Sequence, residues 1–241
     1  MPTGLDAHQD AFARNLDDVR AFDALEEHYF LEGEWSALVD LYRRRLDAPS
    51  MGAHASGRPA LLFRLAQIYE ERLLDLEAAA ATYWQLARLD PGHRPALRQL
   101  RGIHERAGQW DLVLQIAELE GQTEMPPFER AAFEADLGRI WDQQLHEPEE
   151  ARKAYDRALE AEPDQPEALA GLAGLHRSEG RPEAAVAMLE RLTARLRGPE
   201  RAPVWTQLGT LHGHVLGNPT RAAACFDHAL EDDPFQTAAV E

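Results

Sequence analysis

Leucines return along this chain at nearly constant intervals. Leu25, Leu65, Leu100, Leu137, Leu172 and Leu208 are separated by 40, 35, 37, 35 and 36 residues. Around each, bulky residues recur at three and four, the period of an amphipathic helix. The six stretches are Phe22-x2-Leu25-x3-Tyr29, Leu62-x2-Leu65-Ala66-x2-Tyr69, Leu97-x2-Leu100-x3-His104, Glu134-x2-Leu137-Gly138-x2-Trp141, Leu169-x2-Leu172-Ala173-x2-His176 and Trp205-x2-Leu208-Gly209-x2-His212. A second helical pair follows each one: Leu38-x3-Tyr42, Ala79-x3-Tyr83, Val113-x3-Ala117, Ala151-x3-Tyr155, Ala185-x3-Leu189 and Ala222-x3-Phe226. Two short helices cannot bury their apolar faces alone, so units of this length must stack on one another.

These motifs resemble the tetratricopeptide repeat, Trp-x2-Leu-Gly-x2-Tyr, then Ala-x3-Phe, then Pro. Trp205, Leu208, Gly209, Ala222, Phe226 and Pro234 follow it, with His212 in place of the Tyr. The resemblance covers residues 19–234 and implies an all-α, right-handed α-solenoid of six helix-turn-helix repeats, at 19–50, 59–92, 94–122, 131–164, 166–197 and 202–234. Residues 1–18, with Leu5, Phe12 and Leu16 at near-helical spacing, are read as a leading helix that caps the first repeat. Pro91, Pro163 and Pro234 correspond. Ala96, Ala168 and Ala239 follow five residues on, and then Leu97, Leu169 and Val240. Residues 235–241 are therefore expected to begin a further, truncated repeat, or else to be a polar tail that echoes the pattern. Glu26 and Arg101 stand where the family prefers a small residue, and looser helix crossings are expected there.

The repeats alternate. From the aromatic or His of the first helix to the residue that opens the second pair, the interval is 9 in one kind and 10 in the other. The shorter kind turns at Gly33, Gly108 and Gly180, where glycine accepts the left-handed conformation that closes a helix. Ser36 and Asp111 are then expected as N-caps. In the longer kind Leu74, Leu145 and Leu216 recur at intervals of 71, ahead of helix starts such as Pro148 and Asn218-Pro219. The larger period is therefore a block of two repeats, with Leu65 and Leu137 72 residues apart.

Composition narrows the function. The chain has 25 basic and 42 acidic residues and a formal net charge of −17. Such a charge repels a nucleic-acid backbone and an anionic membrane surface. Cys225 is the only cysteine, so no internal disulfide forms, which fits a reducing compartment. With no apolar run or basic start in residues 1–30, a cytoplasmic protein is expected. No phosphate-binding Gly-rich loop, nucleophile elbow or zinc-protease motif is present. Cys225, beside Phe226, reads as a small buried hydrophobe. His104, His176 and His212 fall in the aromatic slot of their repeats. His212 and His214, two apart on a helix, point away from each other. No catalytic residue, cofactor or metal is expected.

The resemblance further implies that first helices line a concave groove that binds peptides. Helical spacing places Arg98, Arg139 and Arg177 on that face, together with Phe63 and Gln67, and Arg64 and Arg106 flank it. Gly102, Ala135, Ala170 and Gly174 keep it shallow. A guanidinium fork suits a carboxylate held bidentately. Two accounts stay open: the arginines grip an acidic or C-terminal carboxylate segment, or they neutralise Glu105, Asp136 and Asp142 on the same surface. Chaperone-tail binders of the family use a Lys/Asn clamp. This face carries neither residue, and Lys153 is the only lysine. The expected function is a non-catalytic protein–protein interaction scaffold. The alternatives are a regulatory or sensory segment of a larger enzyme or signalling protein, and a structural protein that self-assembles end to end.

Overall fold

The structure is a computed structural model that describes residues 4–52 and 55–235. Among the described residues there are 13 α-helices and no strand. The chain divides into two units, one up to Glu124 and one from Met125. The first holds helix α1 (Gly4–Arg14) and three hairpins: α2 (Val19–Glu32) with α3 (Trp35–Leu46), α4 (Arg58–Gln67) with α5 (Leu76–Leu89), and α6 (Arg94–Arg106) with α7 (Trp110–Gly121). The second holds α8 (Pro127–Gln143) with α9 (Pro148–Ala161), α10 (Pro166–Ser178) with α11 (Pro182–Arg195), and α12 (Ala202–Thr210) with α13 (Pro219–Asp232). The residues with which a further repeat would begin, Ala239 and Val240, lie outside the described residues.

The repeating leucines form the core. All six are buried, with Leu25, Leu100 and Leu208 almost completely so. In the first unit Phe12 of α1 is fully buried against Phe22, 6.0 Å between ring centroids, and the Arg44 guanidinium covers it at 5.3 Å. Leu16 follows the end of α1 and packs partly buried on the same cluster. In the second unit Leu169, Leu189 and Leu208 share one cluster, and Tyr155 with Leu172 anchors another. The small residues of the repeat are where side chains cross. Gly138 and Gly171 lie against the Tyr155 ring, and Gly209 lies against Phe226.

The two turn types differ by one inserted residue. In the short repeats the left-handed residue comes four after the slot residue: Gly33 after Tyr29, Gly108 after His104 and Gly180 after His176, all near φ +69°. The next N–H then reaches the slot carbonyl, as from Glu34 to Tyr29 (2.8 Å) and from Arg181 to His176 (2.8 Å). In the long repeats the last helical turn widens to a π turn, at Ile68–Arg72 and Leu211–Val215. Leu73, Leu145 and Leu216 donate five residues back, to Ile68, Ile140 and Leu211, at 2.9–3.1 Å. The left-handed residue now comes fifth: Leu74, His146 and Gly217. This corrects the sequence register, since Leu74 corresponds to His146 and Gly217, and Leu145 and Leu216 correspond to Leu73.

Leu74 and His146 are held at φ +54° and +56°, where a β-carbon crowds its own backbone. Gly217 shows that glycine fits the same turn. Leu74→Gly and His146→Gly are each expected to raise stability by about 0.5–1 kcal/mol, less what glycine's freer unfolded chain takes back. The urea midpoint of each single variant reads this out, and a fall in both midpoints refutes the strain.

Two further expectations, both of helix caps, are corrected. Ser36 and Asp111 do not cap. The glycine turns bring the chain straight into α3 and α7 at Trp35 and Trp110, so both residues fall inside the first helical turn. Side-chain caps occur instead at Asp18, Asp75, His93, Gln165 and Asn218. Arg101, expected at a looser crossing, is paired there. It is buried, and donates to Glu120 at 2.9 Å and to Glu105 at 2.6 Å. Glu26 likewise accepts from the Tyr42 hydroxyl and from Arg64 (2.9 Å).

Candidate functional site

Each unit carries a groove between successive first helices. In the first unit the groove, about 440 Å³, runs between α2 and the end of α4. Its apolar part is Phe30, Leu31, Trp35 and Ile68, with Phe30 and Trp35 edge to face at 5.5 Å. Arg72 lies over the Trp35 ring at 4.8 Å. Burial, with the Glu26 carboxylate next, pushes the Tyr42 phenol up, so it keeps its proton and donates to Glu26. That same carboxylate holds the Arg64 guanidinium above its usual range.

In the second unit the groove, about 630 Å³, lies between α8 and α10, with Tyr155 of α9 at its base. Ala135, Ala170, Gly171 and Gly174 line it, and a surface without long side chains lets another backbone approach. Arg139 donates to Asp136 at 2.6 Å, three residues back on the same helix. Arg177 is exposed on the other side and has no ion pair among the described residues. Burial first, and the Asp142 carboxylate next, push the Tyr155 phenol up to about 12.

The expected site residues therefore separate. Arg64 and Gln67 line the first groove, and Arg139 and Arg177 the second. Arg106 donates to Glu70 at 2.6 Å, beside the Tyr83 hydroxyl that bonds the same carboxylate at 3.1 Å. Phe63 packs on Tyr83 and His93, at 5.9 and 5.0 Å between centroids, and contributes to stacking rather than to a groove. Arg98 is exposed and lines neither groove. Leu31, Trp35, Glu71 and Arg72 line the first groove without having been singled out in the sequence. Glu71 and Arg72 sit in the widened turn and Trp35 opens the next helix, where the helical period that places a face is broken, whereas Leu31, four residues after Glu27 on α2, was within reach of that period.

The histidine slots are packing positions. His104 and His212 are buried, and the Nδ1 of His104 meets the Gln109 side chain at 2.6 Å. Burial, with Arg181 and Arg152 adding to it, holds the His176 imidazole below its usual range. Among the described residues no group of three His, Cys, Asp or Glu side chains is placed to hold a metal, and no helix is long and apolar enough to cross a membrane.

Residues 144–206 match the family model described as tetratricopeptide repeat. No curated protein matches the chain in sequence. Among solved structures the chain is similar to the C-terminal part of a TPR repeat-containing protein from Cytophaga hutchinsonii, at 14% identity and TM-score 0.71, covering 98% of this chain and 92% of that one. It is also similar to YrrB, titled a TPR protein with an unusual peptide-binding site, at 18% identity and TM-score 0.59, covering 84% and 97%. Pseudomonas aeruginosa pilF is similar at 17% identity and TM-score 0.58, covering 99% and 97%. At these identities the structures speak for the fold, and the match over 144–206 speaks for the repeat itself. Residues 144–206 are thus tetratricopeptide repeat by sequence, and the helical hairpins share the fold of solved tetratricopeptide-repeat proteins.

Proposed function

We propose that this chain is a non-catalytic interaction scaffold, and that the groove of its second unit grips an acidic or C-terminal carboxylate segment of a partner protein through Arg177. The carrying observation is a guanidinium with no ion pair among the described residues, placed over a groove lined by Ala135, Ala170, Gly171 and Gly174. Arg139 is already engaged by Asp136, so it acts as neutraliser rather than as grip. The neutralising account thus fits Arg139, and the gripping account fits Arg177. The peptide-binding site named for YrrB, a protein of the same fold, supports reading such a groove as a segment-binding surface.

Arg177→Ala is expected to weaken binding of a short glutamate-rich peptide with a free C-terminus by about tenfold or more. A charge-assisted hydrogen bond contributes about 1.5–3 kcal/mol, and 1.4 kcal/mol is tenfold. The exposed side chain makes the variant neutral for stability. Calorimetric titration of the full chain and the variant reads both, with Lys153→Ala, on a second helix, as control. Equal affinity of Arg177→Ala and the parent chain sinks the assignment.

A further inference from the structure

We propose that the groove of the first unit docks a cationic partner segment anchored by a bulky apolar side chain. The inference rests on reading these stacks as segment-binding surfaces, and it gives the first groove the opposite charge preference to the second. Its apolar shelf is built from residues adjacent in sequence and in space. Phe30 is 55% exposed and Leu31 73%, and Phe30 meets the half-buried Trp35 edge-on. Single exposed apolar side chains are ordinary, whereas two large ones opening onto a third form a patch that an anchor can cover. The groove volume of about 440 Å³ lies within the range of ligand-holding clefts.

The rim fixes the sign of the charge. Arg64 is paired with Glu26, while Arg72 lies over the face of Trp35 and keeps its charge, so the rim sets Asp23, Glu26, Glu27 and Glu71 against two guanidiniums. Glu26 is occupied in turn, by Arg64 and the Tyr42 hydroxyl. Asp23, Glu27 and Glu71 are exposed around the shelf and have no ion pair among the described residues. Three open carboxylates beside an apolar shelf complement lysine or arginine flanking a Leu or Phe anchor. The chain's net charge of −17 adds a long-range pull on such a segment. Affinity comes chiefly from the desolvated anchor, and charge selection from the rim.

The test is a fluorescence-anisotropy titration of the full chain with three labelled peptides. One carries Leu-Phe between paired lysines, one Leu-Phe between paired glutamates, and one Ala-Ala between paired lysines. The first is expected to bind about tenfold or more tighter than either other, and to weaken as salt rises. Phe30→Ala/Leu31→Ala is expected to lose the anchor preference. Asp23→Asn/Glu27→Gln/Glu71→Gln is expected to lose the lysine preference and the salt dependence. All five positions are exposed, so the variants keep the fold, and circular dichroism checks that they do. Equal binding of the acidic Leu-Phe peptide by the Arg177→Ala chain, whose second groove is disabled, or unchanged binding by both variants, overturns the proposal. So does a particle size that grows with concentration and shrinks in Phe30→Ala/Leu31→Ala, because a second copy then covers the shelf. Arg177→Ala is expected to leave the basic peptide untouched. Loss of the acidic peptide at Arg177 alongside failure here removes this inference and spares the second groove, and the reverse pattern does the opposite.

Discussion

Arg101→Met is expected to destabilise the first unit by about 3–5 kcal/mol, the usual cost of leaving a buried charge without its partner. The partner is Glu120, itself only 3% exposed and 2.9 Å from the Arg101 Nε. Removing the guanidinium strands that carboxylate between α6 and α7. Glu105, the second carboxylate Arg101 meets, is partly exposed and can turn to water. The double variant Arg101→Met/Glu120→Leu is expected to recover most of the loss, since an apolar pair of similar volume replaces a buried ion pair at little net cost. Urea unfolding of the parent, both singles and the double closes the cycle. A cost below about 1 kcal/mol for Arg101→Met means that water reaches the pair.

That pair marks the boundary of what the sequence discloses. The helices, their pairing and the buried leucines follow from spacings of three, four and about 36, because a helix must turn one face to its neighbour at that period. An ion pair between Arg101 and Glu120 joins residues 19 apart on different helices, and no periodicity announces it. Reading only the slot, a large charged side chain suggests a gap; in three dimensions it reaches its partner across the hairpin. Glu134 shows the same thing in an apolar slot, where it is buried and accepts from Arg157 at 2.8 Å. The long turn was visible as an interval of 10 instead of 9, but not its cause. One residue absorbed as a wide helical turn moves the left-handed position to Leu74 and His146, residues that carry no glycine signal. At the grooves, helical spacing found Arg139 and Arg177, which lie within α8 and in the last turn of α10 and so still keep the helical period. It could not see that Arg106 and Arg64 are taken up by Glu70 and Glu26, since those pairings depend on which helix ends up alongside.

Gly171→Ala is the sharper test of how the second unit is packed, because two effects of opposite sign compete. In an unobstructed helix interior the change stabilises by about 0.8–1 kcal/mol. Here the new β-carbon overlaps the ring of Tyr155, which is 2% exposed. Gly138 faces the same ring from α8, and a β-carbon there falls 2.5 Å from ring carbons. Overpacking a filled core costs about 1–3 kcal/mol after relaxation, occasionally more, so Gly171→Ala is expected to destabilise and Gly138→Ala/Gly171→Ala to do so further. One block earlier the slot equivalent to Gly138 holds Ala66, and Tyr83 there donates to Glu70. The slot thus admits a methyl when the ring is placed differently, which makes Gly171 the decisive position. In a Tyr155→Ala background, itself costing about 3–5 kcal/mol, Gly171→Ala is expected to become neutral or stabilising. That reversal, read from urea midpoints, assigns the cost to the ring; a destabilisation that persists without the ring assigns it elsewhere. Tyr155 and Gly171 also line the second groove. The close approach that packs α9 between α8 and α10 therefore also shapes the surface offered to a partner, and tightening it with a methyl is expected to weaken the glutamate-rich peptide even where the fold survives.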